Sequence, residues 1–229
     1  MATYLICHGA WSGGWSWRHI RTLLRAAGHE VFTPTYTGLG ERAHLTHPMV
    51  DLETHIRDTL AVIEYEDLAD FILVGHSYGG MVVTGVADRV PDKVRHLVYL
   101  DAFVPSDGQS LDDLTGAARE GVEGWLLPPN PPAPDTSAED LAWNLPRRRH
   151  MPARCFSQKL RLAGGTPHFP RSYIHCTKKA GPDVFLQFAD RFREDADWRF
   201  VTMDASHNPN VTQPEALAKL LLGMERDQG

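Results

Sequence analysis

Gly75-His76-Ser77-Tyr78-Gly79 sets a serine between two glycines, directly after an apolar run at 71–74 and before a helical stretch from Met81. Strand, sharp turn and helix are the context in which G-x-S-x-G presents an exposed hydroxyl for acyl transfer. The glycines let the turn close tightly, and the helix N-terminus behind Ser77 favours developing negative charge. A serine hydroxyl needs a base to take its proton. Among 12 histidines, His207 is best placed, because it follows an apolar run at 199–203 and precedes the last helical stretch. Loops at the carboxyl ends of parallel strands gather on one sheet edge, so His207 can reach Ser77 across the fold. His76 is the serine's chain neighbour, and neighbours on a sharp turn point apart, so we read it as a supporting residue. Two backbone N–H groups must hold the oxyanion. Tyr78, next after the serine, supplies one and Ala10 the other. Ala10 lies in the glycine-rich turn His8-Gly9-Ala10-Trp11-Ser12-Gly13-Gly14, so His8, Gly9 and Trp11 are expected to support or line the pocket.

The elements that must position these groups alternate. Thr3–Cys7 reads as a buried strand, 17–27 as a helix ended by Gly28, and 31–36 as a strand. A helix at 51–65, a strand at 71–74, a helix at 81–90 and a strand at 96–100 follow. Such alternation implies a mostly parallel sheet of about six strands with helices on both faces, an α/β fold. The pattern breaks over 105–170, which contains the proline-rich run 128–134. Long irregular insertions in compact domains usually carry function. We therefore expect a core of 1–104 and 171–229 with a cap at 105–170 over the site. Beyond the cap we expect strands at 172–176 and 199–203 and helices at 184–192 and 214–224.

Composition narrows the function classes. A chain of 229 residues with 42% hydrophobic residues suits one domain with a sizeable core. A net charge of -6 argues against a nucleic-acid partner. No apolar stretch approaches the ~20 residues of a membrane span, and no signal-peptide pattern precedes the first strand, so a cytoplasmic protein is the default expectation. Cys7, Cys155 and Cys176 are too few and too scattered for a disulfide framework. No spacing meets a metal motif, and Gly38-Leu39-Gly40 lacks the rest of a nucleotide signature. Trp11, Tyr78, Trp125 and Trp143 suggest an apolar substrate, although large aromatics more often fill cores. Arg147-Arg148-Arg149 reads as a solvated run.

On His8 to Trp17, Ala26 to Val31, Phe71 to Gly80 and Tyr173-Ile174, the chain resembles the α/β-hydrolase superfamily. It is most similar there to the small branch of plant methyl-ester hydrolases, hydroxynitrile lyases and bacterial esterases. The resemblance implies the α/β-hydrolase fold, a serine-esterase mechanism, a small-molecule ester substrate and no cofactor. A homodimer is an open expectation. The lyases of that branch have threonine after the first histidine and lysine after the catalytic one; this chain has Gly9 and Asn208 there. The family usually places its triad acid after the strand at 172–176, where this chain has Thr177-Lys178-Lys179. Three carboxylates could serve instead. Asp101, at a strand end on the catalytic edge, is favoured over Asp183 and Asp204. A small-molecule-binding protein on a hydrolase scaffold and a hydroxynitrile-lyase-like enzyme are the rival readings.

Overall fold

In the computed structural model, β1 (Thr3–Cys7) runs into a 3-10 turn at Gly14–Trp17 and α1 (Arg18–Ala26), then β2 (Glu30–Phe32). Next come α2 (Leu52–Tyr65), β3 (Phe71–His76), α3 (Gly79–Arg89), β4 (Val94–Leu100) and α4 (Leu111–Thr115). The chain continues through β5 (Leu126–Leu127), α5 (Ala138–Asn144), β6 (Met151–Pro152), α6 (Arg154–Ser157) and β7 (Arg171–Cys176). It ends with α7 (Leu186–Arg193), β8 (Trp198–Met203), α8 (Pro209–Thr212) and α9 (Pro214–Arg226). The structure describes residues 1–116, 124–133, 135–164, 168–179 and 181–226. Parts of the 105–170 expectation, including Pro134, lie outside them.

β1, β3, β4 and β7 are almost wholly buried along their length. That burial explains their near-continuous apolar sequences, since a parallel sheet is covered on both faces. The strands form one six-stranded sheet in the order β2-β1-β3-β4-β7-β8, with every pairing parallel. Side chains alternate between two cores. Leu5, Cys7 and Leu73 face the layer holding Ile56, Val83 and Phe188 of α2, α3 and α7. Tyr4, Ile6, Ile72 and Val74 face Ile20, Leu24, Leu217 and Leu221 of α1 and α9. The expected α/β class, parallel sheet and flanking helices are therefore present.

Three details differ from the sequence reading. The strand expected at 31–36 stops at Phe32, because Pro34 cannot donate a ladder hydrogen bond. The first helix is entered through a 3-10 turn, so its α-helical part begins at Arg18. Within 105–170 the short strands β5 and β6 pair antiparallel, an element too brief to show a period in sequence. Asp51 caps α2 through a capping box with Thr54. Among the described residues, no helix is long and apolar enough to cross a membrane.

Candidate active site

Ser77 stands on the turn between β3 and α3 with φ of 56°, a conformation an L-residue adopts only at some cost. The turn is enforced by close approaches of backbone. A Cβ on Gly79 would lie 2.4 Å from the carbonyl oxygen of Cys7 in β1, and one on Gly75 2.5 Å from Val83. A Cβ on Gly80 would lie 2.0 Å from the carbonyl oxygen of Phe103. The glycines thus let the elbow seat against β1 and the loop after β4. The same loop is laced to the serine, with Phe103 N–H donating to the Ser77 carbonyl at 3.2 Å and Ser77 N–H to that of Leu100 at 3.3 Å. Trp11 and Asp101 also have positive φ, 59° and 43°. Three of the five such non-glycine residues among those described therefore lie at this sheet edge.

His207 reaches this edge in the loop between β8 and α8. Its Nε2 lies 3.0 Å from Ser77 Oγ and its Nδ1 2.6 Å from Asp101 Oδ2. A carboxylate only accepts, so Nδ1 carries the proton and Nε2 is free to accept the serine proton. Asp101 is fully buried. Its Oδ1 accepts from Cys176 N–H at 3.2 Å, and its own N–H donates to the Ile174 carbonyl at 2.7 Å. Burial alone would push this carboxyl up. The hydrogen bond and charge of His207, with the nearby Lys179 ammonium, hold it below the usual carboxylate range.

The other two carboxylates are engaged elsewhere. Asp183 Oδ2 accepts from His175 Nε2 at 2.7 Å, and its Oδ1 from Phe185 N–H at 3.0 Å just before α7. Asp204 is exposed and pairs with Lys178 at 3.1 Å rather than capping its own loop. Lys179 occupies the place where the family acid was expected. Its Nζ donates to Asp101 Oδ2 at 2.5 Å and lies 3.6 Å from Asp183 Oδ1. The lysine departure noted in sequence is thus physically joined to the carboxylate that faces His207.

His76 and His8 are both buried. His76 is directed at the main chain of the loop that carries His207. Its Nε2–H donates to the His207 carbonyl at 2.7 Å, and the two rings lie 4.8 Å apart. Burial, reinforced by the charge of His207, pushes His76 down to about 3, so it stays neutral. His8 does not line the cavity. It donates from Nδ1 to the Gly9 carbonyl at 2.7 Å and accepts Tyr36 N–H at Nε2, 3.2 Å away, which fixes both the tautomer and the start of the glycine-rich turn. Burial pushes it down to about 3 as well. Gly9 packs on the elbow, where a Cβ would sit 3.1 Å from Ser77 Cβ and 3.2 Å from His76 Nδ1.

Ala10, Trp11, Ser77, Tyr78, His76 and His207 line a cavity of about 520 Å³. Its apolar wall includes Phe103, Leu111, Phe156, Phe185 and Val211. Phe185 stacks on His207 with ring centres 4.9 Å apart, a contact that sequence periodicity could not indicate. The Tyr78 hydroxyl turns away to His55 Nδ1 at 2.9 Å. From 105–170, Asn130, Thr136, Leu141, Leu145 and Arg148 reach the same cavity. Arg148 is half-buried and held below its usual range by desolvation, so the arginine run is not wholly solvated. Trp143 lies beside the cavity instead, against Trp15 at 5.1 Å and beneath Arg18 at 4.1 Å. All three cysteines are buried, and burial raises their thiols away from reactivity. Among the described residues, no group of three or more histidine, cysteine or acidic side chains is arranged to hold a metal ion.

The model of the Alpha/beta hydrolase family matches residues 4–220. The carbendazim hydrolyzing esterase of Nocardioides sp. (strain SG-4G) is 40% identical over 98% of this chain and 100% of its own. The pyrethroid hydrolase of Sphingobium wenxiniae is 28% identical over 95% of this chain and 85% of its own. Among solved structures, an extracellular alpha/beta-hydrolase from a Paenibacillus species superimposes with a TM-score of 0.81 at 27% identity, covering 97% of this chain and 98% of that one. The chain belongs to the alpha/beta hydrolase family and to its esterase branch.

Proposed function

We propose that this enzyme cleaves carboxylic esters of small apolar or aromatic molecules through an acyl-serine intermediate, with Ser77, His207 and Asp101 as its triad. The observation that carries the reading is the continuous contact from Ser77 Oγ through His207 to Asp101, at 3.0 and 2.6 Å, on the wall of the cavity. In the first half-reaction Ser77 Oγ attacks the ester carbonyl carbon and His207 Nε2 takes its proton. The carbonyl oxygen becomes an oxyanion, held by the N–H groups of Ala10 and Tyr78. The intermediate collapses, the alkoxide leaves, and His207 returns the proton to it. Water then attacks the acyl-serine with His207 again as base, releasing the acid and restoring Ser77.

The aromatic wall supports an apolar or aromatic substrate. The names of the two bacterial relatives, for carbendazim and pyrethroid hydrolysis, point the same way. The residues that 105–170 contributes to the cavity support its role as a cap. The crowding at Gly9 opposes the threonine of the lyase pattern and favours ester hydrolysis. A fluorophosphonate probe and a series of p-nitrophenyl esters test this reading. We expect labelling at Ser77 and turnover of short aryl esters, with Ser77→Ala lowering kcat about 10⁴-fold or more. A wild-type protein that neither labels nor turns over any ester would sink the proposal.

A further inference from the structure

Lys179 Nζ and His207 Nδ1 both donate to a single oxygen, Oδ2 of Asp101. The lysine side chain is mostly buried and the carboxylate completely so, which makes solvent screening of the pair weak. Nζ also lies over the Phe185 ring at 5.0 Å, and that ring stacks on His207. A triad aspartate ordinarily presents an uncompensated negative charge to the imidazole, and that charge stabilises the imidazolium. Here the charge is shared with an ammonium no more than about 5 Å from the imidazole nitrogen.

We infer that Lys179 is a positioning residue of the triad, a fourth member that holds Asp101 ionised and aligned and weakens its hold on the imidazolium, so that activity extends to lower pH. The inference rests on the serine-esterase reading above. The charged and titratable groups around the pair are few. Asp101 comes from the end of β4 and His76 from the end of β3, and His76 is held neutral by burial. Cys176 at the end of β7 has its thiol raised by burial. From the loop after β7 comes Asp183, whose Oδ2 is occupied by His175. Lys178 also borders the cavity, where its ammonium is paired with the exposed Asp204 at 3.1 Å.

The test is the pH profile of kcat/KM for an aryl ester, run beside the pH dependence of fluorophosphonate labelling. Replacing the ammonium by a neutral donor, Lys179→Gln, leaves the imidazole facing a full negative charge. The acidic limb of both profiles should then move up by about one pH unit, roughly a tenfold loss of kcat/KM at pH values below it. Lys179→Arg keeps the charge and should return the limb to the wild-type position. A purely structural lysine would lower stability or kcat while leaving the limb in place. A Gln profile that superimposes on wild type in its acidic limb, with Ser77 still labelled, overturns the inference and leaves the esterase reading standing.

Should the Gln variant not fold, the wild-type enzyme supplies a second readout. In ¹⁵N-lysine spectra the Lys179 ammonium should exchange with water more slowly than that of exposed Lys178. It should also shift when the probe occupies Ser77. Equal exchange, or no response to the adduct, overturns the inference without the variant.

Discussion

The wall of the cavity that carries Ser77 is built from backbone. Gly79 and Gly80 seat the elbow against neighbouring main chain, Gly75 admits the Val83 side chain of α3, and Ser77, Leu100 and Phe103 are joined by main-chain hydrogen bonds. The proposed cap is attached in two ways. Its later part is tied firmly to the core. The Gln158 amide donates to Asp51 at 3.0 Å and accepts from Glu53 N–H at 2.7 Å, and Ala163 N–H donates to Asp88 at 2.8 Å. Its α5 part is held mainly by side chains, with a single main-chain hydrogen bond just after it. Trp143 inserts against Trp15 and Arg18, and Arg149 N–H meets the Trp11 carbonyl at 3.3 Å. Main-chain lacing fixes geometry to fractions of an ångström, as proton transfer requires. Side-chain stacking contributes about 1 kcal/mol per contact and admits rearrangement. Perturbing the elbow side should therefore change kcat, and perturbing α5 should change KM.

The largest expected effect comes from Asp101→Asn. The amide keeps the shape but cannot fix the same His207 tautomer, and Lys179 would then face the imidazole with no intervening negative charge. Loss of kcat by about 10⁴-fold is expected at neutral pH, with folding preserved by circular dichroism. A variant within tenfold of wild type would remove Asp101 from the triad and return Asp183 to consideration.

A second difference concerns protonation. Burial pushes His8 and His76 down to about 3 and His55 and His96 down to about 4. In the unfolded chain each takes up a proton near its ordinary 6.5. The unfolded state thus binds more protons between about pH 6.5 and pH 3–4, and stability falls as pH falls through that window. Each histidine removes up to about 1.4 kcal/mol per pH unit below 6.5. Three of the four lie at or beneath the elbow side. Thermal unfolding should therefore drop clearly between pH 7 and pH 5 and be nearly flat from pH 7.5 to 8.5. A Tm that does not change from pH 7 to 5 would mean that these rings are not buried and neutral.

The two sides also differ in how far they can be read from sequence. Ser77 is legible because strand, turn and helix are local and contiguous around it. His207 is legible as the histidine following the last strand run. Asp101 emerges only as one of three carboxylates, since which one faces His207 depends on the register of β4 against β7, where Leu100 meets Ile174. Lys179 shows as a departure from pattern, while its pairing with Asp101 is a contact between residues 78 positions apart. The α5 part is hardest to read, because Trp143 meets Trp15 and Arg18 across more than 120 positions and no period links them. The misjudged length of β2 is of another kind: Pro34 stands in plain view and a ladder cannot pass it.

The smallest expected effect tests the α5 attachment directly. Leu141, Asn144, Leu145 and Arg148 flank Trp143 and line the cavity, whereas Trp143 itself points to the core. Trp143→Ala removes the stack on Trp15 and the cation–π contact with Arg18, about 1 kcal/mol of attachment. A rise in KM of roughly fivefold with kcat unchanged is expected from that loss, and Trp143→Phe should recover most of it because it retains a ring. Steady-state kinetics on an aryl ester decide the matter. If kcat falls while KM holds, α5 helps position the triad and the division between the two sides is wrong. If neither changes, this segment lies outside the substrate site. The proposed outcome requires a wall that binds without aligning, joined to one that aligns whatever is bound.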